Sequence, residues 1–556
     1  MDAAILFEPD GYLLTGPRLM GRQSAGAGFL RAAVRARGEH PVTACVATQE
    51  SADAFRRAVA ELDPAAQTQV IPAQRQDLLA AHDALYRPDQ ILGPAARQRL
   101  RVGPAAYSLC GVTHTLATSS TLDAIAKILV EPVMPWDALV CTSRAALGVV
   151  GAVLDRQSDY LRWKLGQPAV ERPLLPVIPL GVHCEDFAFS EGDRAAARLA
   201  LGVAPDEVAL LMAGRLAIGG KAHPYPLFRA LQATAEATGK PLVLVFAGQA
   251  FNSEIAELFR ASAADFCPDV RTLFVEGGDP GAYRSAWAAA DIFVSLADSI
   301  QETFGLTPLE AMAAGLPALV SDWDGYKDTV RDGVDGFRVE TWTPPPGAGG
   351  SIGLDFETGA DGYEAYLLRC STAVAVDMRQ LRERLADLVT DEALRRRLGE
   401  AGRARARSTF DWSVIYRSYQ LVWAEQARLR AAASADAAAK DWLARAPRRG
   451  ADHLGPFDTF AGYPSRLVEP STLVRRVSDI GPQAYRELMG HQLLALRSVS
   501  PEISDRTLAA LADGPLSVGE LAQRAGLSGP AAAEVVARLA KIDLVALSSG
   551  PDASAG

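Results

Sequence analysis

The chain of 556 residues is short of several things, and each shortage excludes a class of function. Its six cysteines (Cys45, Cys110, Cys141, Cys184, Cys267 and Cys370) lie far apart with no C-x-x-C pair, which excludes a zinc ribbon and points to reduced thiols rather than a disulfide framework. Positive charge is not in excess: 56 Lys and Arg face 66 Asp and Glu, for a formal net charge of −10, so nucleic acid is not an expected partner. No apolar run approaches the ~18 residues that span a bilayer. Met1 to Phe7 lacks the basic start and long apolar region of a secretory signal, and the expected location is the cytoplasm. A chain of this length exceeds what one core supports, so two or three domains are expected.

What is present centres on one stretch, Ser299-Ile300-Gln301-Glu302-Thr303-Phe304-Gly305-Leu306-Thr307-Pro308-Leu309-Glu310, running on to Gly315 and Pro317. The apolar run Asp291 to Leu296 predicts a buried strand leading into it. Thr307 as N-cap, Pro308 at the first helical position and Glu310 three residues after Thr307 predict a capping box, with Gly315 and Pro317 ending the helix. Thr303, Phe304, Gly305 and Leu306 would then offer backbone N–H groups to an anion at a helix N-terminus. Two carboxylates bracket that loop. Glu310 either closes the capping box or faces a ligand, whereas Glu302 beside an anion site needs a hydroxyl or cation partner.

Along the chain, strands and helices alternate twice. Ala3 to Phe7 reads as a strand and Gly26 to Arg37 as a helix, joined by a long loop that holds Gly21 and Arg22. Val42 to Ala47, Tyr107 to Val112 and Ala138 to Ser143 are further strands, and His114 stands in the turn after the second of these. The proline-bounded segment 176–182 is the expected hinge. The alternation resumes at Val208 to Ala213, followed by a glycine-rich loop carrying two cations, Arg215 and Lys221, which suit an anion. Asp322-Trp323-Asp324 is read as a turn, not a metal motif, and 343–365 as an exposed insertion. The repeated pattern predicts an α/β protein with parallel sheets, ligands sitting at the strands' carboxyl ends.

The Glu302–Glu310 stretch, together with Ser321 to Asp328 and Asp332 to Phe337, resembles the signature of retaining GT-B glycosyltransferases, the group that includes glycogen synthases and glycosyltransferase family 4. The resemblance covers about residues 1–430 and implies two Rossmann-like domains facing a cleft. They are an N-terminal, acceptor-side domain (1–180), with helix 413–430 crossing back onto it, and a nucleotide-sugar-binding domain (181–412). It implies a hexosyl transfer from a nucleotide-diphosphate sugar to an unidentified acceptor, with retention of configuration and neither cofactor nor metal. Glu302, His114, Arg215 and Lys221 are then the expected catalytic residues. Glu310, the Thr303, Phe304, Gly305 and Leu306 loop, Gly21 and Arg22 are the expected donor contacts. The rivals are a GT-B relative of another class, an epimerase or phosphorylase, and a regulatory or adaptor protein acting through the chain's last segment.

That segment is separate. Residues 431–475 read as a linker, and 476–556 as a small, mostly helical, winged-helix-like module built on Leu508 to Asp513, Val518 to Ala525 and Ala531 to Ile542. Four Lys or Arg (Arg506, Arg524, Arg538, Lys541) face five acids (Asp505, Asp513, Glu520, Glu534, Asp543) across 505–548, so protein contact or self-association is expected there rather than DNA.

Overall fold

Short apolar strands separated by helices close as parallel sheets, because each return to the next strand passes through a helix. The computed structural model of the chain describes residues 3–14, 21–166, 170–250, 252–452, 455–477, 482–494 and 499–549, and contains two such sheets. The first is built from β1 (Ala4–Leu6), β2 (Val42–Val46), β3 (Thr68–Pro72), β4 (Ala84–Tyr86), β5 (Ser108–Val112) and β6 (Ala138–Val140), in the order β3-β2-β1-β4-β5-β6. The second uses β7 (Val208–Ala213), β8 (Leu242–Gly248), β9 (Arg271–Glu276), β10 (Ile292–Ser295), β11 (Ala318–Ser321) and β12 (Gly336–Val339), in the order β12-β11-β10-β7-β8-β9. All neighbouring strands in both are parallel. Counted from its own first strand, each sheet has the doubly wound order, with winding reversed beside that strand. The fold is α/β, with two parallel-sheet halves as the resemblance implied.

The chain crosses between these halves twice, and the two crossings lie side by side. Val182 N–H donates to Phe410 O at 2.9 Å and Trp412 N–H to Val182 O at 3.1 Å. Helix Trp412–Ala435 then returns to the first sheet, burying Trp412, Ile415, Tyr416, Tyr419 and Trp423 in a core with Phe29 and Tyr86. The Gln426 side chain donates to Leu109 O of β5 at 2.7 Å, which fixes the helix against a buried strand. Gly28 and Gly181 both abut the Trp412 ring so closely that a Cβ at either would collide with it.

Several boundaries differ from the sequence reading. A short helix, Pro9–Tyr12, follows β1 and the long one spans Gly21–Ala36, so Gly21 and Arg22 sit on its first turn and not in a loop, while Leu19 and Met20 lie outside the described residues. Residues 343–365 are not a bare loop: Pro346–Gly349 is a strand, Gly350–Glu357 a helix, and Tyr363–Ser371 another, on a stem formed by antiparallel pairing of Thr341–Trp342 with Ala375–Val376. The first part of the expected linker is helical, since the long helix runs to Ala435 and a second follows at Ala437–Ala444. The chain divides into compact units at Gly450 and Ala451.

The second unit contains helices Pro501–Ala510, Val518–Ala525 and Gly529–Lys541 and an antiparallel sheet in which Leu473–Arg476 lies between Leu516–Ser517 and Val545–Ser548. That sheet draws in residues ahead of 476, where the module was expected to begin. Ala532, Val535, Val536 and Leu539 of the last of these helices are buried in the unit's own core. Among the described residues no helix is long and apolar enough to cross a membrane.

Candidate active site

The site is assembled at the carboxyl ends of β7, β10 and β11. Gly214 after β7 and Gly248 at the end of β8 take positive φ, and a Cβ on Gly248 would lie 1.8 Å from Gly214 O, so these turns close only with glycine. The chain leaving β10 runs through Glu302 into helix Thr307–Ala314. The expected capping box does not form: Leu306 is the N-cap, in helical conformation and with no side-chain cap bond, so Thr307 lies inside the helix. Glu310 is therefore free of a capping role. Gly305 adopts φ +79°, and a Cβ there would meet the Tyr326 ring at 2.2 Å.

Lys221 and Glu302 are brought together, with Nζ 2.5 Å from Oε2. Burial works against the charge on Glu302. The Lys221 ammonium, its hydrogen bond and the Thr303 and Phe304 N–H groups outweigh burial and hold the carboxyl below its usual range. Two of the four loop amides expected to face an anion thus serve Glu302 itself. Those of Gly305 and Leu306 have no hydrogen-bond acceptor among the described residues. Arg215 and Lys221 line one small cavity with Ser295, Thr307 and Tyr326. Glu310 Oε2 is buried without a partner, and burial pushes that carboxyl up to about 7, opposed by the Lys221 charge.

The N-terminal candidates form their own group. His114 Nε2 lies 2.9 Å from Pro88 O; a carbonyl only accepts, so Nε2 carries the proton and Nδ1 is the acceptor. Burial lowers the imidazole to about 4, and Arg22 adds to the effect, so the ring is neutral at pH 7. Arg22 is ion-paired with Asp10. Among the described residues no hydrogen bond or ion pair joins His114, Gly21 or Arg22 to Glu302, Glu310, Arg215 or Lys221. The halves meet instead through the end of β6. Ser143, the N-cap of helix Arg144–Leu165, donates its hydroxyl to Thr303 O at 2.7 Å, and Arg144 N–H donates to Asp328 at 2.7 Å.

One family model, two kinds of curated relative and one solved structure bear on this site, and the stretch matched by the family model holds most of it. Residues 193–344 match the family described as glycosyl transferases group 1, which takes in Arg215, Lys221, Glu302 and Glu310. This stretch is similar to a group 1 glycosyl transferase domain. The D-inositol 3-phosphate glycosyltransferase of Actinosynnema mirum is 36% identical to this chain over 195 residues, 33% of this chain and 43% of that enzyme. The alpha-maltose-1-phosphate synthase of Mycobacterium tuberculosis is 25% identical over 333 residues, 56% of this chain and 73% of that enzyme. The chain spans 37% of the Nocardia farcinica D-inositol 3-phosphate glycosyltransferase. Among solved structures, the Anabaena protein HepE with UDP and glucose aligns over 76% of this chain and 100% of its own at 15% identity, with a TM-score of 0.48. The match ends at residue 344, two residues past the strand Thr341–Trp342 that forms the stem.

Three residues of the domain escaped the sequence reading. Asp298 is buried, accepts from His223 N–H at 3.0 Å through one oxygen and leaves the other unpartnered; burial raises it to about 7. Asp324, assigned to a turn, has a buried oxygen without a partner and lies within electrostatic reach of Glu302 and Lys221. Tyr326 packs under Gly305 and shares a hydrogen bond with Ser295 at 2.8 Å. The conformational oddity of an aspartate before a glycine was the one available signal for Asp324. Nothing in the local sequence marked the other two.

Proposed function

We propose that this chain is a glycosyltransferase that moves a hexosyl group from a nucleotide-diphosphate sugar to an acceptor hydroxyl with retention of configuration. The observation that carries the reading is the Lys221–Glu302 pair set against the start of helix Thr307–Ala314, with Arg215 on the same cavity. Two cations and the free Gly305 and Leu306 amides suit the developing charge of a leaving diphosphate, and one such preorganised donor contributes about 3–4 kcal/mol to a barrier. Glu302, ionised and paired, is an acceptor for donor-sugar hydroxyls. Glu310 suits the ribose hydroxyls, because a partnerless buried carboxyl gains most from a hydroxyl pair. His114, neutral and with Nδ1 open to accept, suits a sugar hydroxyl from the other half.

The transfer itself needs no protein nucleophile: the leaving phosphate accepts the acceptor's proton as the new glycosidic bond forms on the same face. Neither cofactor nor metal takes part in this scheme. Two relatives are named for phosphorylated compounds, D-inositol 3-phosphate and maltose 1-phosphate, so phosphorylated cyclitols and sugars are the first acceptors to try. The second unit, with its slight acidic excess, is proposed to contact protein.

The test is a thermal-shift screen of nucleotide sugars. A donor at ~100 times its dissociation constant stabilises the fold by about 2.7 kcal/mol. If no nucleotide sugar shifts the transition or yields a glycoside with any acceptor, the reading is wrong.

A further inference from the structure

Asp324 stands where a turn would favour glycine. Its φ is +48°, one of two non-glycine residues in the left-handed region among the described residues, and Gly325 after it is wedged against Phe304, where a Cβ would lie 2.4 Å from the Phe304 Cα. The turn is therefore locked against the Glu302–Leu306 loop, and the Asp324 carboxyl lies within electrostatic reach of Glu302. One carboxyl oxygen, Oδ2, is buried and has no hydrogen-bond partner. A strained backbone and an unsatisfied buried polar atom at one residue, next to a loop that carries an ionised carboxylate, are costs that a plain turn does not require.

We infer that Asp324 is a sugar-contacting residue of this site, its stranded carboxyl hydrogen-bonding a hydroxyl of the donor sugar beside Glu302. This rests on the glycosyltransferase reading above and deepens it: Glu302 accepts from the sugar, and Asp324 supplies the complementary donor. The groups that face it are Glu302 from the loop before helix Thr307–Ala314, Lys221 from the loop after β7 and Asp328 on its own following turn. Burial and Glu302 both disfavour its charge, against the Gly325 N–H and Lys221, and raise it to about 8. A proton is accordingly held at neutral pH and lost as pH rises beyond about 8, where a second negative charge would stand beside Glu302.

The experiment measures binding of UDP-glucose, ADP-glucose and GDP-mannose, each against its bare nucleoside diphosphate, by calorimetry on the full chain. For whichever sugar nucleotide binds the wild type, Asp324→Gly relieves the backbone and should weaken it about tenfold while leaving the nucleoside diphosphate within twofold. Asp324→Asn keeps a donor and should bind within about threefold of wild type. Raising pH from 7 to 9 should weaken sugar-nucleotide binding by the wild type but not by Asp324→Asn. Unchanged sugar-nucleotide affinity in a folded Asp324→Gly, or an equal loss for sugar nucleotide and nucleoside diphosphate, would overturn the inference and leave the glycosyltransferase reading standing. Failure of the wild type to bind any of the three would overturn both.

Discussion

The two sheets of the first unit share one strand order and treat buried charge in opposite ways. In the first half Arg99 and Asp137 are wholly buried and paired with each other: the guanidinium meets both Asp137 oxygens and the carbonyls of Tyr107 and Pro132, Asp137 also accepts the N–H groups of Leu109 and Met134, and only the Arg99 Nε is left without a partner. In the second, Asp298, Glu310 and Asp324 each leave a buried oxygen without a partner. The same topology thus carries a buried carboxylate with both oxygens partnered in one half and carboxyls with a stranded oxygen in the other. Satisfied charge fixes structure, whereas unsatisfied charge at the carboxyl ends of parallel strands is a place for a ligand.

Four changes would break or sharpen that contrast. The largest effect is expected at Glu302: Glu302→Gln should lower turnover by about 10²–10³-fold with little change in melting temperature, since it removes a ligand contact rather than core packing. Unaltered turnover would take Glu302 out of the site. Next, Arg99→Ala leaves Asp137 buried and uncompensated, which should cost about 3–5 kcal/mol in denaturant unfolding while the folded fraction still binds nucleotide normally. A change in affinity there would show that the Arg99–Asp137 pair is not purely structural. Arg215→Ala should weaken nucleoside diphosphates by about 10–100-fold and nucleosides hardly at all, because a lost charged hydrogen bond is worth about 1.5–3 kcal/mol.

Smaller still is Glu310→Gln. A carboxyl raised to about 7 holds its proton in the folded chain, so its contribution to stability is complete below the ordinary carboxylate range and is lost as pH rises through about 7. Wild type should therefore lose more melting temperature than Glu310→Gln between pH 5 and 8. Glu310 is only half-buried, so the difference should be about 1–3 °C. Parallel curves would mean that Glu310 is solvated in the apo protein. No effect at all is expected from EDTA on turnover, and strict dependence on magnesium or manganese would reopen the role of Asp322 and Asp324.

Much of the architecture was legible because periodicity reports burial directly. Runs such as Val208 to Ala213 and Pro241 to Gly248 are apolar without interruption, which only a strand covered on both faces tolerates. Helix starts were less legible. Thr307-Pro308-Leu309-Glu310 has every feature of a capping box, yet Leu306 takes the N-cap, because packing of Gly305 on Tyr326 sets where the backbone first turns helical. Gly21 and Arg22 were placed in a loop for want of a cap signal, and helix Gly21–Ala36 extends over them. The alanine-rich stretch after Arg430 read as a linker from composition alone, although high alanine content is also good helix composition.

The sequence by itself determined the two α/β halves, the apolar strands, the crossing helix and, of the charged residues near Glu302, Arg215, Lys221 and Glu310 but not Asp298 or Asp324, because these depend on local periodicity and on spacing along one stretch. The tertiary structure alone decided which of those charges are paired. Lys221 and Glu302 lie 81 residues apart and meet at 2.5 Å. Whether Glu310, Asp298 and Asp324 are solvated or stranded depends on the walls that enclose them. Those walls come from separate strands whose ends converge only when the sheet closes, and burial of a carboxyl is a property of that convergence, not of its neighbours in the chain.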